Sequence, residues 1–309
     1  MTEAANQSSG NIVLDRRFAW AQAAAHEGAH AAAADILEQI IAEAPRWPAA
    51  WHALGEAREK AGDQPGAVTA FRHLADADPS GLHGAQLHLA RLGADQPPAR
   101  APDAYVRGLF DTYANRFEAH LTGDLAYRGP QLLTDALRVA TTGKRQIFHF
   151  PRVIDLGCGT GLMARSMSPH YDDAQGVDLS PRMIEEARRT GLYAGLHVGE
   201  LTTFLQDCPT VSAELVTAAD VLIYLGALDT TFVETARVLI SGGLFAFCVQ
   251  HDEDQDWRLG QGMRYFHSRT YLTHLAEAAG FQVLSIDAAS YRKDAGQDVP
   301  GLVVVLMRA

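Results

Sequence analysis

Val153-Ile154-Asp155-Leu156-Gly157-Cys158-Gly159-Thr160-Gly161-Leu162 sets an apolar run that ends in an acid against three glycines at every second position. Val153, Ile154 and Leu156 predict a buried strand. The glycines let the backbone turn sharply and let a ligand approach with no Cβ in the way. A helix is predicted from about Leu162, its free N–H groups facing that ligand. Gly157, Gly159 and Gly161 make GxGxG, whereas the dinucleotide fingerprint, GxGxxG, places its third glycine one residue later. Asp155 sharpens the distinction: an acid before the first glycine repels a pyrophosphate but pairs with an amine. The ligand implied carries an ammonium and a ribose rather than a diphosphate. Asp155 can also cap the turn that follows it.

A second acid follows at the end of Gln175-Gly176-Val177-Asp178-Leu179-Ser180, which reads as a short strand. A carboxylate at such a strand tip accepts hydrogen bonds from both ribose hydroxyls, or caps a helix starting at Pro181. With DLGCGTG before it, this pattern resembles the class I S-adenosylmethionine-dependent methyltransferases, whose signature is an acid followed by xGxGxG. The resemblance implies an α/β fold: a Rossmann-like, doubly wound, mostly parallel seven-stranded sheet. It implies S-adenosylmethionine as cofactor and S-adenosylhomocysteine as product; the thirteen histidines show no HExxH or other metal spacing, so no metal is expected. Asp155, Gly157, Cys158, Gly159 and Gly161 then cradle the cofactor, Asp178 holds the ribose, and Leu179 and Met183 sandwich the adenine. From composition alone Met183 is a core residue. In Gly195-Leu196-His197-Val198-Gly199-Glu200-Leu201, the resemblance gives Glu200 the adenine amino group and sets Leu201 beside it.

Farther on, Glu214 to Leu225 reads as a fourth strand ending near Ala219. The resemblance puts Ala219, Asp220 and Val221 at the methionine end of the cofactor and turns Tyr224 toward the acceptor. Arg237 to Phe247 reads as a helix end, a glycine turn at Gly242-Gly243 and a fifth strand. A helix from Thr270 to Ala279 stops at Gly280, and Phe281–Ile286 and Leu302–Met307 predict a terminal antiparallel hairpin. Tyr224, Asp220 and His267 are the catalytic candidates, since their segments border the methyl in the family. Tyr224 also suits the rim of a pocket, and His267 the cap of the following helix.

The N-terminal third is of another kind. At a step of about 34 residues, the tetratricopeptide period, Ala33 falls over Ala67, Leu37 over Phe71, Ile40 over Leu74 and Pro45 over Pro79. Trp51, Leu54 and Gly55 take the large, apolar and small positions of a first helix. Residues 1–96 thus resemble an all-α domain of two tetratricopeptide repeats with a capping helix from Leu82 to Leu92; ordinary helical hairpins are the other reading. Prolines at 97, 98 and 102 make 97–104 a stiff linker. The S-adenosylmethionine-binding domain is then 105–309. It opens on YVRGLFDTYANRFEAHL, residues 105–121, which resembles the segment that closes over the cofactor in many methyltransferases. Tyr105, Tyr113 and Phe117 are its lid candidates. The whole arrangement resembles a bacterial group of methyltransferases that carry tetratricopeptide repeats.

Composition narrows the partners. A net charge of -11 with no basic patch argues against nucleic acid. The three cysteines, Cys158, Cys208 and Cys248, lack CxxC spacing and leave an odd thiol, which suits a reducing cytoplasm. Neither a bilayer-crossing run nor a signal peptide is predicted, so no membrane partner is expected. Two functions remain open. One is methyl transfer by in-line displacement to a protein or small molecule, the repeats recruiting a partner or substrate. The other is a non-catalytic scaffold that holds the cofactor as a structural ligand. A dehydrogenase comes third, because the loop lacks pyrophosphate spacing.

Overall fold

The computed structural model describes residues 8–113, 127–142, 147–294 and 296–309. The chain divides into two compact units, Met1–Gly108 and Leu109–Ala309.

In the first unit, helices α1 (Ile12–His26), α2 (His30–Glu43), α3 (Pro48–Lys60), α4 (Gln64–Ala77) and α5 (Ala85–Arg91) follow one another through short turns. Their ends follow from local chemistry: Asn11 caps α1 through Val13 N–H and Asp63 caps α4 through Gly66 N–H. Pro48 and Pro65 sit in first turns, where the missing N–H costs nothing. Gly28 and Gly62, at φ 83° and 86°, reverse the chain after α1 and α3. α2 runs from His30 to Glu43 and α4 from Gln64 to Ala77, a constant step of 34 residues. Burial keeps the same step: Ala33 and Ala67, Leu37 and Phe71, and Ile40 and Leu74 are all buried. A Cβ on Gly55 would lie 2.5 Å from the Phe71 ring, so only glycine admits this approach of α3 to α4. The proline-bearing stretch ends against this unit, with Pro102 over Gly81.

Helix α6 (Asp103–Tyr113) contains the point where the units divide. The second unit continues with α7 (Gly129–Thr141), β1 (Phe150–Leu156), α8 (Leu162–Met167), β2 (Tyr171–Asp178), α9 (Pro181–Arg189), β3 (Gly195–Val198), α10 (Leu201–Asp207) and β4 (Ala213–Ala218). A 3-10 turn at Leu222–Tyr224 leads to α11 (Asp229–Val238), β5 (Leu239–His251), β6 (Trp257–Leu259), β7 (Tyr265–His267) and α12 (Arg269–Ala278). Last come β8 (Phe281–Ala288), a small two-stranded β9 (Lys293–Asp294) and β10 (Gln297–Asp298), and β11 (Gly301–Arg308).

The main sheet runs β3-β2-β1-β4-β5-β11-β8, with β3 to β5 parallel and β11 antiparallel to both its neighbours. This is a Rossmann-like α/β sheet, mostly parallel. Its central strands are apolar on both faces, as helix-covered strands must be. Phe150, Val153, Leu215, Ala246, Val303 and Val305 join Leu133 and Leu137 of α7 in one core. β1 and β4 lie at the centre, where the strand order reverses. Ligands bind at such a crevice, beyond the carboxyl ends of the strands.

Two details depart from the sequence expectation. The β6–β7 hairpin extends the seven strands to nine, β7 pairing with the end of β5 at Gln250 and His251. Strands of three residues carry too little alternation to be read in advance. The Gly242-Gly243 pair is a shift inside β5 rather than a turn before it: Ala213 pairs with Leu239 but Leu215 with Leu244. Gly242 takes φ 75° there, which a glycine allows at low cost.

Candidate active site

The glycine loop leaves β1 and enters α8 through three left-handed residues: Gly157 at φ 63°, Gly159 at 53° and Gly161 at 92°. A Cβ on Gly157 would meet Val221 at 2.4 Å, so the loop is pressed onto the chain leaving β4. Cys158 is buried and its N–H donates to the Val177 carbonyl, tying the loop to β2. Thr160 is buried, and its Oγ finds no hydrogen-bond partner among the described residues.

Asp155 is 2% exposed. Its Oδ2 accepts from the Tyr193 hydroxyl at 2.6 Å and its Oδ1 from Thr217 Oγ at 2.8 Å. Burial raises its pKa to about 6 against these two hydrogen bonds. Among the described residues this buried carboxylate, held by two neutral donors, has no counter-charge. Asp178, at the tip of β2, accepts from Gly159 N–H at 3.0 Å and Ser180 N–H at 2.8 Å, bridging the glycine loop to the start of α9. Burial raises it as well, to about 6, with nearby Asp111 adding to the effect.

Other predicted positions fall around these acids. Leu179 is half-buried, while Met183 is fully buried on α9, a core residue that offers no surface to an adenine. Glu200 caps α10, accepting from Thr202 N–H at 3.0 Å and Thr203 N–H at 2.8 Å, and Leu201 opens that helix. Beyond β4, Ala219 and Val221 are half-buried. Asp220 sits at φ 58°, a left-handed conformation costly for a residue with a Cβ and concentrated at functional sites. Its N–H donates to Cys248 Sγ at 3.2 Å. Burial raises its pKa, opposed by Arg292 and Arg264. Tyr224 is buried, packs edge-on against Phe110 at 5.6 Å and hydrogen-bonds Arg264.

His267 and the lid need correction or restriction. Ser268, not His267, caps α12, its Oγ accepting from Tyr271 N–H at 3.1 Å. His267 is fully buried; its Nε2 lies 3.1 Å from the Gly226 carbonyl, a donor position, and burial lowers its pKa to about 4. Such an imidazole pins β7 to the loop after Tyr224 and presents no surface to an acceptor. Tyr105 lies over Gly84 within the first unit. Tyr113 ends α6, and Phe117 lies outside the described residues. The described part of the lid segment contributes Asp111 instead, which accepts from Ser180 Oγ at 2.5 Å while its carbonyl accepts from Arg182 at 2.9 Å.

Sequence reasoning also missed Tyr193, Thr217, Arg292 and Tyr291. Thr217 left a signal: it is polar in an apolar strand and pairs directly with Asp155 across β1 and β4. Among the described residues no group of three or more His, Cys, Asp or Glu could hold a metal ion, and no helix is long and apolar enough to cross a membrane.

Residues 117–286, more than half of the chain, match the family model described as a methyltransferase domain. The chain belongs to that family. Human methyltransferase-like protein 27 is 35% identical over 121 residues, 39% of this chain and 45% of its own length. Ubiquinone biosynthesis O-methyltransferase of Xylella fastidiosa strain 9a5c is 31% identical over 96 residues, 30% of this chain and 39% of its own. The chain thus spans about half or less of these curated relatives. Among solved structures, the (4+2) cyclase SpnF superposes with a TM-score of 0.52 at 17% identity, covering 66% of this chain and 95% of that one. Magnesium protoporphyrin IX methyltransferase of Synechocystis PCC 6803, solved with S-adenosylmethionine bound, gives 0.50 at 14% identity, covering 67% and 97%. These two show a shared fold.

The second unit therefore carries an S-adenosylmethionine-dependent methyltransferase domain, and the residues present fit the cofactor. Asp155 offers a carboxylate with no cation beside it among the described residues to an ammonium, Asp178 a carboxylate to ribose hydroxyls, and the loop a left-handed backbone that glycines allow.

Proposed function

We propose that the whole chain is a methyltransferase acting on an unidentified protein or small molecule, with Asp155, Gly157, Cys158, Gly159, Gly161, Asp178 and Leu179 on the cofactor. The observation that carries this is Asp178, which joins the glycine loop to α9 at the tip of the strand beside β1. S-adenosylmethionine, when bound, supplies a sulfonium methyl to the acceptor's lone pair and leaves as S-adenosylhomocysteine. The protein's part is alignment in a water-poor pocket, worth on the order of 7 to 11 kcal/mol of the barrier. Asp220, held beyond β4 in a left-handed conformation, is the proposed carboxylate that takes the proton a neutral acceptor loses. Glu200 and Leu201 stand on the adenine side, with Ala219 and Val221 beside the methionine end.

The helical unit is proposed as two tetratricopeptide repeats and a cap that recruit a protein partner or substrate. The constant 34-residue step of α2 and α4, its matching burial and the close approach at Gly55 support this reading. A cytoplasmic site of action fits three free cysteines, two of them buried.

The test couples binding to turnover. Asp178→Ala should weaken S-adenosylhomocysteine in calorimetry by about 100-fold, since it removes a charged partner of the ribose and the brace of the loop. Retained affinity would reject the site. Methyl-labelled S-adenosylmethionine incubated with a cell extract should label a discrete product, and binding without any labelled product would favour the scaffold reading.

A further inference from the structure

Arg292 lies in the loop between β8 and β9 and is 3% exposed. A guanidinium stays charged at any physiological pH, so burying it demands acceptors. Yet its Nε and Nη2 find no hydrogen-bond partner among the described residues. The carboxylate beside it, Asp220, stands at 3.8 Å from Nε, beyond hydrogen-bond reach. Nε and Nη2 form one edge of the guanidinium, the side-on pair that grips both oxygens of a carboxylate.

The surroundings set this edge beside Asp220, the residue proposed to take the acceptor's proton. Asp220 follows β4 next to Val221, which touches the glycine loop, and its side chain keeps 17% of its surface accessible. Arg264 hydrogen-bonds Tyr224 and acts on Asp220 together with Arg292. Tyr291 carries the loop: its ring lies against Gly301 and its carbonyl accepts from Arg128 N–H at 2.8 Å. Arg292 is fixed in turn, its own carbonyl accepting from Val299 N–H. Two arginines, Arg292 and Arg264, and three tyrosines, Tyr127, Tyr224 and Tyr291, thus act on the acid that follows β4.

We propose that the Nε–Nη2 edge of Arg292 binds a carboxylate of the methyl acceptor, so that the substrate is an organic acid whose anionic group is kept in the product. This rests on the methyl-transfer reading. The competing source of the same chemistry is the cofactor's own carboxylate, and the two are separable.

Wild-type protein, Arg292→Lys and Arg292→Gln are each incubated with methyl-labelled S-adenosylmethionine and a small-molecule extract, and labelled products are resolved by anion exchange. Affinities for S-adenosylhomocysteine and for methylthioadenosine, which lacks the amino acid, are measured in parallel. Arg292→Lys keeps the charge beside Asp220 but loses the two-donor edge. The expected result is a labelled anionic product whose kcat/KM falls about tenfold or more in both variants, with KM carrying the loss in Arg292→Lys. The pH profile of Arg292→Lys and both variants' affinity for S-adenosylhomocysteine should stay unchanged. A neutral, cationic or protein product, or an anionic one made equally well by Arg292→Lys, overturns the proposal and leaves methyl transfer standing. Weaker S-adenosylhomocysteine with unchanged methylthioadenosine assigns Arg292 to the cofactor and overturns it too. No labelled product despite cofactor binding overturns the methyl-transfer reading beneath it.

Discussion

Asp155 is a buried acid whose ionisation costs the fold. Its ordinary pKa of 3.8 is raised to about 6 by burial, so between those values the folded chain holds the proton more tightly than the unfolded one. The sign follows: this group's contribution is most favourable below 3.8 and is lost as pH rises through about 6. At neutral pH the ionised acid is therefore a cost kept for its ligand, a trade of stability for binding. Asp155→Asn should raise the melting temperature of the cofactor-free second unit by about 2–5 °C at neutral pH. The Tyr193 and Thr217 hydroxyls can each accept from an amide as well as donate to it. The same variant should weaken S-adenosylhomocysteine by about tenfold or more, because the ammonium loses its counter-charge. Scanning calorimetry and titration calorimetry check the two halves, and a variant both less stable and equally tight would make Asp155 a structural acid. For the wild type, cofactor affinity should fall as pH drops through about 6, since Asp155 and Asp178 then take up protons. Titration calorimetry across that range reads it directly.

Among the elements, α3 and α4 show how a sequence period becomes a packing constraint. Gly55 lies inside α3, where a methyl would meet three atoms of the Phe71 ring at 2.5 to 2.8 Å. Gly55→Ala gains helix propensity yet should destabilise the helical unit by about 1–3 kcal/mol, because Phe71 is fully buried and cannot yield. Thermal unfolding of the variant measures this, and a more stable protein would show that the ring can move. Such features were legible because they are local or periodic. The glycine loop and the strand acids declare themselves within short windows, and the helix spacing through a fixed 34-residue step. The partners of those acids do not: Tyr193 reaches Asp155 from 38 residues away, and Arg292 meets Asp220 only once β8 and β11 have closed beside β5. His267 misled for the same reason. Its neighbour Ser268 takes the cap, and its own full burial comes from a three-residue strand with no readable period.

For the whole molecule, burial gives the two units opposite responses to acid. In the helical unit His52, His83 and His88 cluster, with His52 and His88 joined Nε2 to Nε2 at 3.2 Å. Burial lowers all three, His88 to about 3, while Glu56 and Asp78 oppose the shift at His52, Asp78 opposes it at His83, and Arg91 adds to it at His88. Imidazoles held neutral contribute fully above their ordinary 6.5 and lose that contribution as pH falls below it, by at most about 1.4 kcal/mol per pH unit each. In the second unit Asp155 and Asp178 run the other way, gaining as pH falls through about 6, against a single loss at His267. Lowering the pH from about 8 to about 5 should therefore depress the melting of the helical unit while leaving the methyltransferase unit level or slightly raised. Two handles assign the transitions in a calorimetric scan of the full chain: Gly55→Ala lowers one, and S-adenosylhomocysteine at about 100 times its Kd raises the other by about 2.7 kcal/mol. If both transitions fall together on acidification, or both move with the ligand, the buried histidines and the cofactor acids are not acting on separate units.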